Sequence, residues 1–194
     1  MKLRLLLSVL AALVALSCQT SRLVDTWATP KDYSGAPYGR LMIVGLAANP
    51  AGRAHYENAF VDKLRSHGVV SVASTNVVPR IENIDRATVE SWLSEFNLDG
   101  VIVTRVTTTK PPRSYVPLHL SLGGWYGAWG MESEVTPANE KFYLETDLFD
   151  AKTEELRYSA VLETKVKGDR RKAINSVIEL LATDMVKHGY FPGR

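Results

Sequence analysis

The six residues Leu41 to Leu46, LMIVGL, form an unbroken apolar run, and this run limits the fold more than any other feature of the chain. A strand that is apolar at every position has to be covered on both faces, as in the parallel sheets of α/β proteins. The residues around it agree. Asn49-Pro50 supplies an N-cap and a first-turn proline for a helix in which Tyr56, Phe60 and Leu64 recur at four-residue spacing, and the helix ends at Gly68. Val69 to Ala73 reads as a second short strand. Asp85 can cap a second helix bearing Val89, Trp92, Leu93 and Phe96, and Gly100 precedes a third strand, Val101 to Thr108. Strand, helix, strand, helix, strand makes two βαβ units, whose right-handed crossovers predict three parallel strands with the first in the middle.

After Pro111-Pro112 the period changes from helical to alternating. Phe142, Leu144, Thr146 and Leu148 alternate with Tyr143, Glu145, Asp147 and Phe149, and alternation resumes at Leu156, Tyr158, Ala160 and Leu162 beyond a polar turn. That pattern is an antiparallel hairpin. Asp169 then caps a last helix with Ile174, Val177, Ile178, Leu181 and Met185 inward, closed by Gly189. Residues 40–194 are therefore expected to form one three-layer α/β domain: a mixed five-stranded sheet, three parallel strands plus the hairpin, with a C-terminal helix.

The N-terminus carries an address. Lys2 and Arg4 precede an apolar run of 12 residues, Leu5 to Leu16, broken only by Ser8. A spanning helix needs ~20 apolar residues, so this is the shape of a secretory signal over residues 1–17. The run leads into Ala15-Leu16-Ser17-Cys18, whose last residue is the single cysteine of the chain. This resembles the lipobox of bacterial lipoproteins, with Ala15 standing where that family prefers Leu. The resemblance implies that Cys18 is acylated and becomes the first residue of the mature protein. With Gln19 rather than Asp next, it also implies the periplasmic face of the outer membrane. The alternative is cleavage by ordinary signal peptidase after Ala15-x-Ser17, which would leave a secreted protein with a free thiol. Residues 18–39, with Pro30, Gly35, Pro37 and Gly39, read as a lipidated tether and extended arm, reaching at most ~70 Å. Trp27, Tyr33 and Tyr38 are unusual in a tether and are expected to pack on the domain.

Further residues carry a second resemblance. Thr26-Trp27-x-x-Pro30-x-x-Tyr33-x-Gly35, and Glu145-Thr146-x-Leu148-x-Asp150 before the hairpin turn, look like a family of uncharacterised bacterial lipoproteins with a periplasmic α/β domain. At fold level the element order looks like the curli-secretion lipoprotein and the lipoproteins that activate cell-wall synthases. That implies work by assembly with proteins, although a fold does not determine a function.

Chemistry is sparse by comparison. One cysteine excludes an internal disulfide, a Cys-x-x-Cys pair and a Cys/His zinc cluster. Without Lys2 and Arg4 the 23 basic residues fall to 21, equal to the 21 acidic ones, so charge gives no footprint for nucleic acid. No two of His55, His67, His119 and His188 stand at a helical ligand spacing, and no metal or cofactor is expected. His67 and His188 precede helix-ending glycines, where a cation meets the negative helix end; His55 reads as a helix-surface residue. His119 lacks an accompanying nucleophile motif. The turn Gly45 to Gly52, with Arg53 close by, occupies the phosphate position of doubly wound folds but lacks their clustered glycines and a Walker lysine. Glu145 and Asp147 share one face of a strand, where paired carboxylates can work as acid and base but are expected to be solvated; Arg105 is expected to form a salt bridge at a sheet end, the alternative being a ligand at the carboxyl edge.

The most unusual stretch is Tyr115 to Gly130. Gly123, Gly124, Gly127 and Gly130 there separate Trp125, Tyr126 and Trp129. The aromatics either fold onto the sheet as a lid, serve as anchors at a protein interface, or contact a membrane surface or glycan, with Trp125, Tyr126 and Trp129 the candidate interaction residues. Two functional readings follow. The first is a noncatalytic, membrane-anchored envelope lipoprotein that recruits a protein partner or self-associates. The second is a periplasmic small-ligand binder or hydrolase using the carboxyl edge of the sheet.

Overall fold

The computed structural model describes residues 21–29, 35–47, 49–78, 86–107, 141–166 and 168–192. In chain order these form β1 (Ser21–Ala28), β2 (Arg40–Leu46), α1 (Pro50–Ser66), β3 (Val70–Ala73), α2 (Arg86–Glu95), β4 (Gly100–Thr107), β5 (Lys141–Asp150), β6 (Leu156–Lys165) and α3 (Arg170–Lys187). One six-stranded sheet runs in the order β1-β6-β5-β4-β2-β3. β2 lies between β3 and β4 and is parallel to both, so the apolar run has a strand on either side as well as cover on each face. The β5–β6 hairpin adds antiparallel to β4.

The expected five strands become six. The added strand, β1, lies inside what reads in the sequence as tether and arm, and it pairs antiparallel with β6 from Ser21↔Thr164 to Ala28↔Tyr158. Its register shifts between Leu23 and Asp25, and that bulge breaks the two-residue period by which a half-buried strand is recognised. Of the arm's aromatics, Tyr38 is buried in the core under α1 and α3, and Trp27 packs in part against the core on the α2 face; Tyr33 lies outside the described residues.

The two sheet faces carry different layers. On one, α1 and α3 pack against Leu41, Ile43, Ile102, Leu148, Tyr158 and Leu162, with Phe60, Leu64, Val177 and Leu181 inward. On the other, Val89 and Trp92 of α2 meet Met42, Val44, Val101, Val103 and Phe149. That is the three-layer arrangement. The caps follow the sequence signals: Asn49 Oδ1 accepts from Gly52 N, and Asp169 Oδ1 accepts from Arg171 N. Asp85, the expected cap of α2, lies outside the described residues.

Gly100 opens β4 where there is no room for a side chain. A Cβ there would stand 2.9 Å from Leu41 Cδ2, 2.9 Å from the carbonyl oxygen of Phe149 and 3.0 Å from Tyr38 Cδ1. Among the described residues no helix is long and apolar enough to cross a membrane.

Candidate functional site

Alternation places Arg105 of β4, Glu145 and Asp147 of β5, and Ser159 and Glu163 of β6 on the face that carries α2, at the side of the sheet toward β1. The ladder sets the neighbours: Arg105 opposite Glu145, Asp147 opposite Ser159, and Tyr143 opposite Glu163. Arg105 Nη2 stands 2.8 Å from Glu145 Oε2 and 3.9 Å from Asp147 Oδ2. All three side chains are buried, Asp147 to 1% exposure.

The expectation of solvated carboxylates is therefore corrected. Both faces of this hairpin are buried, so alternation, which distinguishes two faces, did not reveal that neither was wet. Arg105 does form the salt bridge expected of it. Burial has an electrostatic consequence. Taking Asp147 out of water, with Glu145 adding like-charge repulsion, raises its carboxyl to about 8, against the weaker pull of Ser159 and Arg105. Burial also raises Glu145, opposed by Arg105. At neutral pH the two acids thus hold a proton between them beside a guanidinium, and the cluster can store or release it.

Glu163 behaves oppositely. Arg22 Nη2 and Lys141 Nζ each lie 3.0 Å from its Oε2, and they hold its carboxyl down at about 2. Toward the ordinary carboxylate range and above, it is an anion bridging β1 and β5.

A second buried charge cluster sits at the carboxyl ends of β2 and β3. Arg53 Nε donates to Glu57 Oε1 at 2.9 Å, and that oxygen also accepts from Gly45 N and Ser74 Oγ. Thr75 N donates to Glu57 Oε2, and Arg53 Nη2 donates to Ser74 Oγ at 2.7 Å. Arg53 lies at the phosphate position of the fold, yet its guanidinium is engaged by Glu57 and by Ser74 in the turn after β3, while Glu57 fastens α1 to β2. The sequence held a signal for this that was missed: Tyr56, Phe60 and Leu64 define the inward stripe of α1, and positions 53 and 57 fall on it.

His67 and His188 are the C-cap residues of α1 and α3, as expected. His55 is a half-buried residue in the first turns of α1. Cys18, His119, Trp125, Tyr126 and Trp129 all lie outside the described residues, so the structure neither brings them to this face nor separates them from it. Among the described residues no group of three or more His, Cys, Asp or Glu could hold a metal ion. A cleft of about 430 Å³, lined by Tyr38, Leu93, Leu98, Asp99, Asp150 and Lys152, opens at the amino ends of β2 and β4, opposite the carboxyl edge.

No family model and no curated protein matches the chain. Among solved structures the chain is similar to the PelC dodecamer from Paraburkholderia phytofirmans, at 13% identity over 90% of this chain and 99% of that one, with a TM-score of 0.45. It is also similar to lipoprotein GNA1162 from Neisseria meningitidis, at 10% identity over 77% of this chain and 94% of that one, with a TM-score of 0.42. Both are weak likenesses of fold.

Proposed function

We propose that the chain is a noncatalytic lipoprotein of the bacterial envelope, anchored by acyl groups on Cys18 to the periplasmic face of the outer membrane, where it works as a protein-interaction or assembly module. The observation that carries this reading is the position of β1. The edge strand begins at Ser21, three residues past Cys18. Three residues span at most ~10 Å, so an acyl anchor at Cys18 would hold one edge of the sheet against the bilayer. A folded body seated on a membrane in this way presents its remaining surface to partners approaching from the periplasm. The buried charges fit the same reading, because Arg105–Glu145 joins β4 to β5 and the Arg53–Glu57 cluster joins α1 to β2 and to the turn after β3 through Gly45 N and Ser74 Oγ.

Cys18→Ser tests it. The parent should incorporate labelled palmitate and fractionate with outer membrane, and the variant should do neither. A variant that stays membrane-bound with its signal removed would sink the anchor. Affinity capture through the lipidated parent, read by mass spectrometry, tests the assembly role: the same envelope protein, or the chain itself, should be retained from repeated preparations.

The raised carboxyl of Asp147 beside Arg105 favours a second reading, a small-ligand binder or hydrolase, since strongly shifted acids gather at catalytic sites. Structural ion pairs shift acids too. A ligand that stabilises the parent but not Asp147→Asn would decide for this reading.

A further inference from the structure

We propose that the end of the domain from which the chain runs back to Cys18 is a binding surface for anionic phospholipid headgroups. Pairing defines that end. Ser21 lies opposite Thr164 and Lys141 opposite Lys165, so the start of β1, the start of β5 and the end of β6 finish together. α3 begins five residues later, at Arg170.

Four elements bring cations there. Arg22, Lys141, Lys165, Arg170, Arg171 and Lys172 are exposed at this end, the side chains of Arg22 and Arg171 to 67% and 72%. Two carboxylates face them among the described residues. Glu163 is bridged by Arg22 and Lys141, and Asp169 lies 3.5 Å from Arg171 Nε. Six cations against two anions leaves a net positive surface. The sign is unusual for its place, because Arg170, Arg171 and Lys172 occupy the first turn of α3, where the helix dipole disfavours cations, and among the described residues the N-cap Asp169 is the acid set against them. The far end of the sheet is more balanced, with Asp99, Asp150, Glu154 and Glu155 beside Arg40, Lys152 and Arg157, the last paired with Glu155.

Location supplies the partner. The proposal rests on the Cys18 anchor, which puts the start of β1 within ~10 Å of the lipid, close to one Debye length at physiological salt. A basic patch there adds headgroup attraction to acyl insertion, the two-signal arrangement by which peripheral proteins hold a membrane durably. Each cation near an anionic surface strengthens such attraction about five-fold.

The test uses the full lipidated protein on vesicles of phosphatidylcholine alone and on vesicles containing phosphatidylglycerol. Flotation reports the anchor, and amine labelling resolved by mass spectrometry reports the patch. We expect flotation with both vesicles. On the anionic ones, labelling of Lys141, Lys165 and Lys172 should slow about five-fold, and high salt should restore it. Lys63, Lys152 and Lys187 should label alike throughout. Flotation with both vesicles and equal labelling overturns the patch and leaves the anchor standing. Flotation with anionic vesicles alone overturns the anchor and supports the patch, and flotation with neither overturns both. Slowed labelling on neutral vesicles also overturns the proposal, since it would not depend on lipid charge.

Discussion

Asp147 retains its proton in the folded chain up to about pH 8, whereas an unfolded aspartate releases it near pH ~4. Between those values the folded state binds more protons than the unfolded one, so this group's contribution to stability declines as pH rises toward 8 and is level above it. Asp147→Asn should remove that slope, raising the melting temperature at pH 8 by more than at pH 5. Thermal melts at the two pH values check this, and a variant that tracks its parent would show that Asp147 ionises normally. Removing one partner of Arg53–Glu57 is the opposite case. Arg53→Met leaves a buried carboxylate without its counter-charge and should cost about 3–5 kcal/mol in urea melts. Gly100→Ala should cost ~1–3 kcal/mol, because the Phe149 carbonyl is backbone and cannot turn aside. These sites differ in how far a sequence betrays them. The stripe of α1 would have placed Arg53 and Glu57 inward had the helical phase been applied to charges as well as to apolar residues. Asp147 gave no such sign, because burial of the second hairpin face follows from tertiary structure and leaves the local pattern of alternation intact.

At the scale of elements, the parallel strands, the hairpin, the three described helices and the caps of α1 and α3 were legible, because each rests on local chemistry: an unbroken apolar run, a period, a proline or a capping oxygen. β1 was not. Its bulge after Leu23 disrupts the period, and as an edge strand it buries too little to read as core. Leu23 nonetheless packs against the core shared by α1 and α3. Leu23→Asp should therefore lower stability by about 1–3 kcal/mol. A residue in a solvated tether would accept the change without effect, so unchanged chemical melts would return β1 to the arm. Ile43 is the sterner case. It has no exposed surface, and Ile43→Asp should leave no cooperative thermal transition, since an unpaired buried charge costs a large share of a typical ~5–15 kcal/mol total.

At the scale of the molecule, the three helices among the described residues hold the sheet from both sides, and β1, the first described strand in sequence, stands at one edge of the sheet. The short stretch from Cys18 to Ser21 gives that order a mechanical meaning. With the proposed anchor at Cys18, tension would enter the fold at the leading end of β1. Because β1 lies antiparallel to β6 over its whole length, a pull along the strand slides one strand past the other. The cross-strand bonds then share the load, whereas a pull across the edge would peel them in turn. A body joined to a lipid at this point and to a heavier assembly at the opposite end of the sheet would meet force along the strands, in shear.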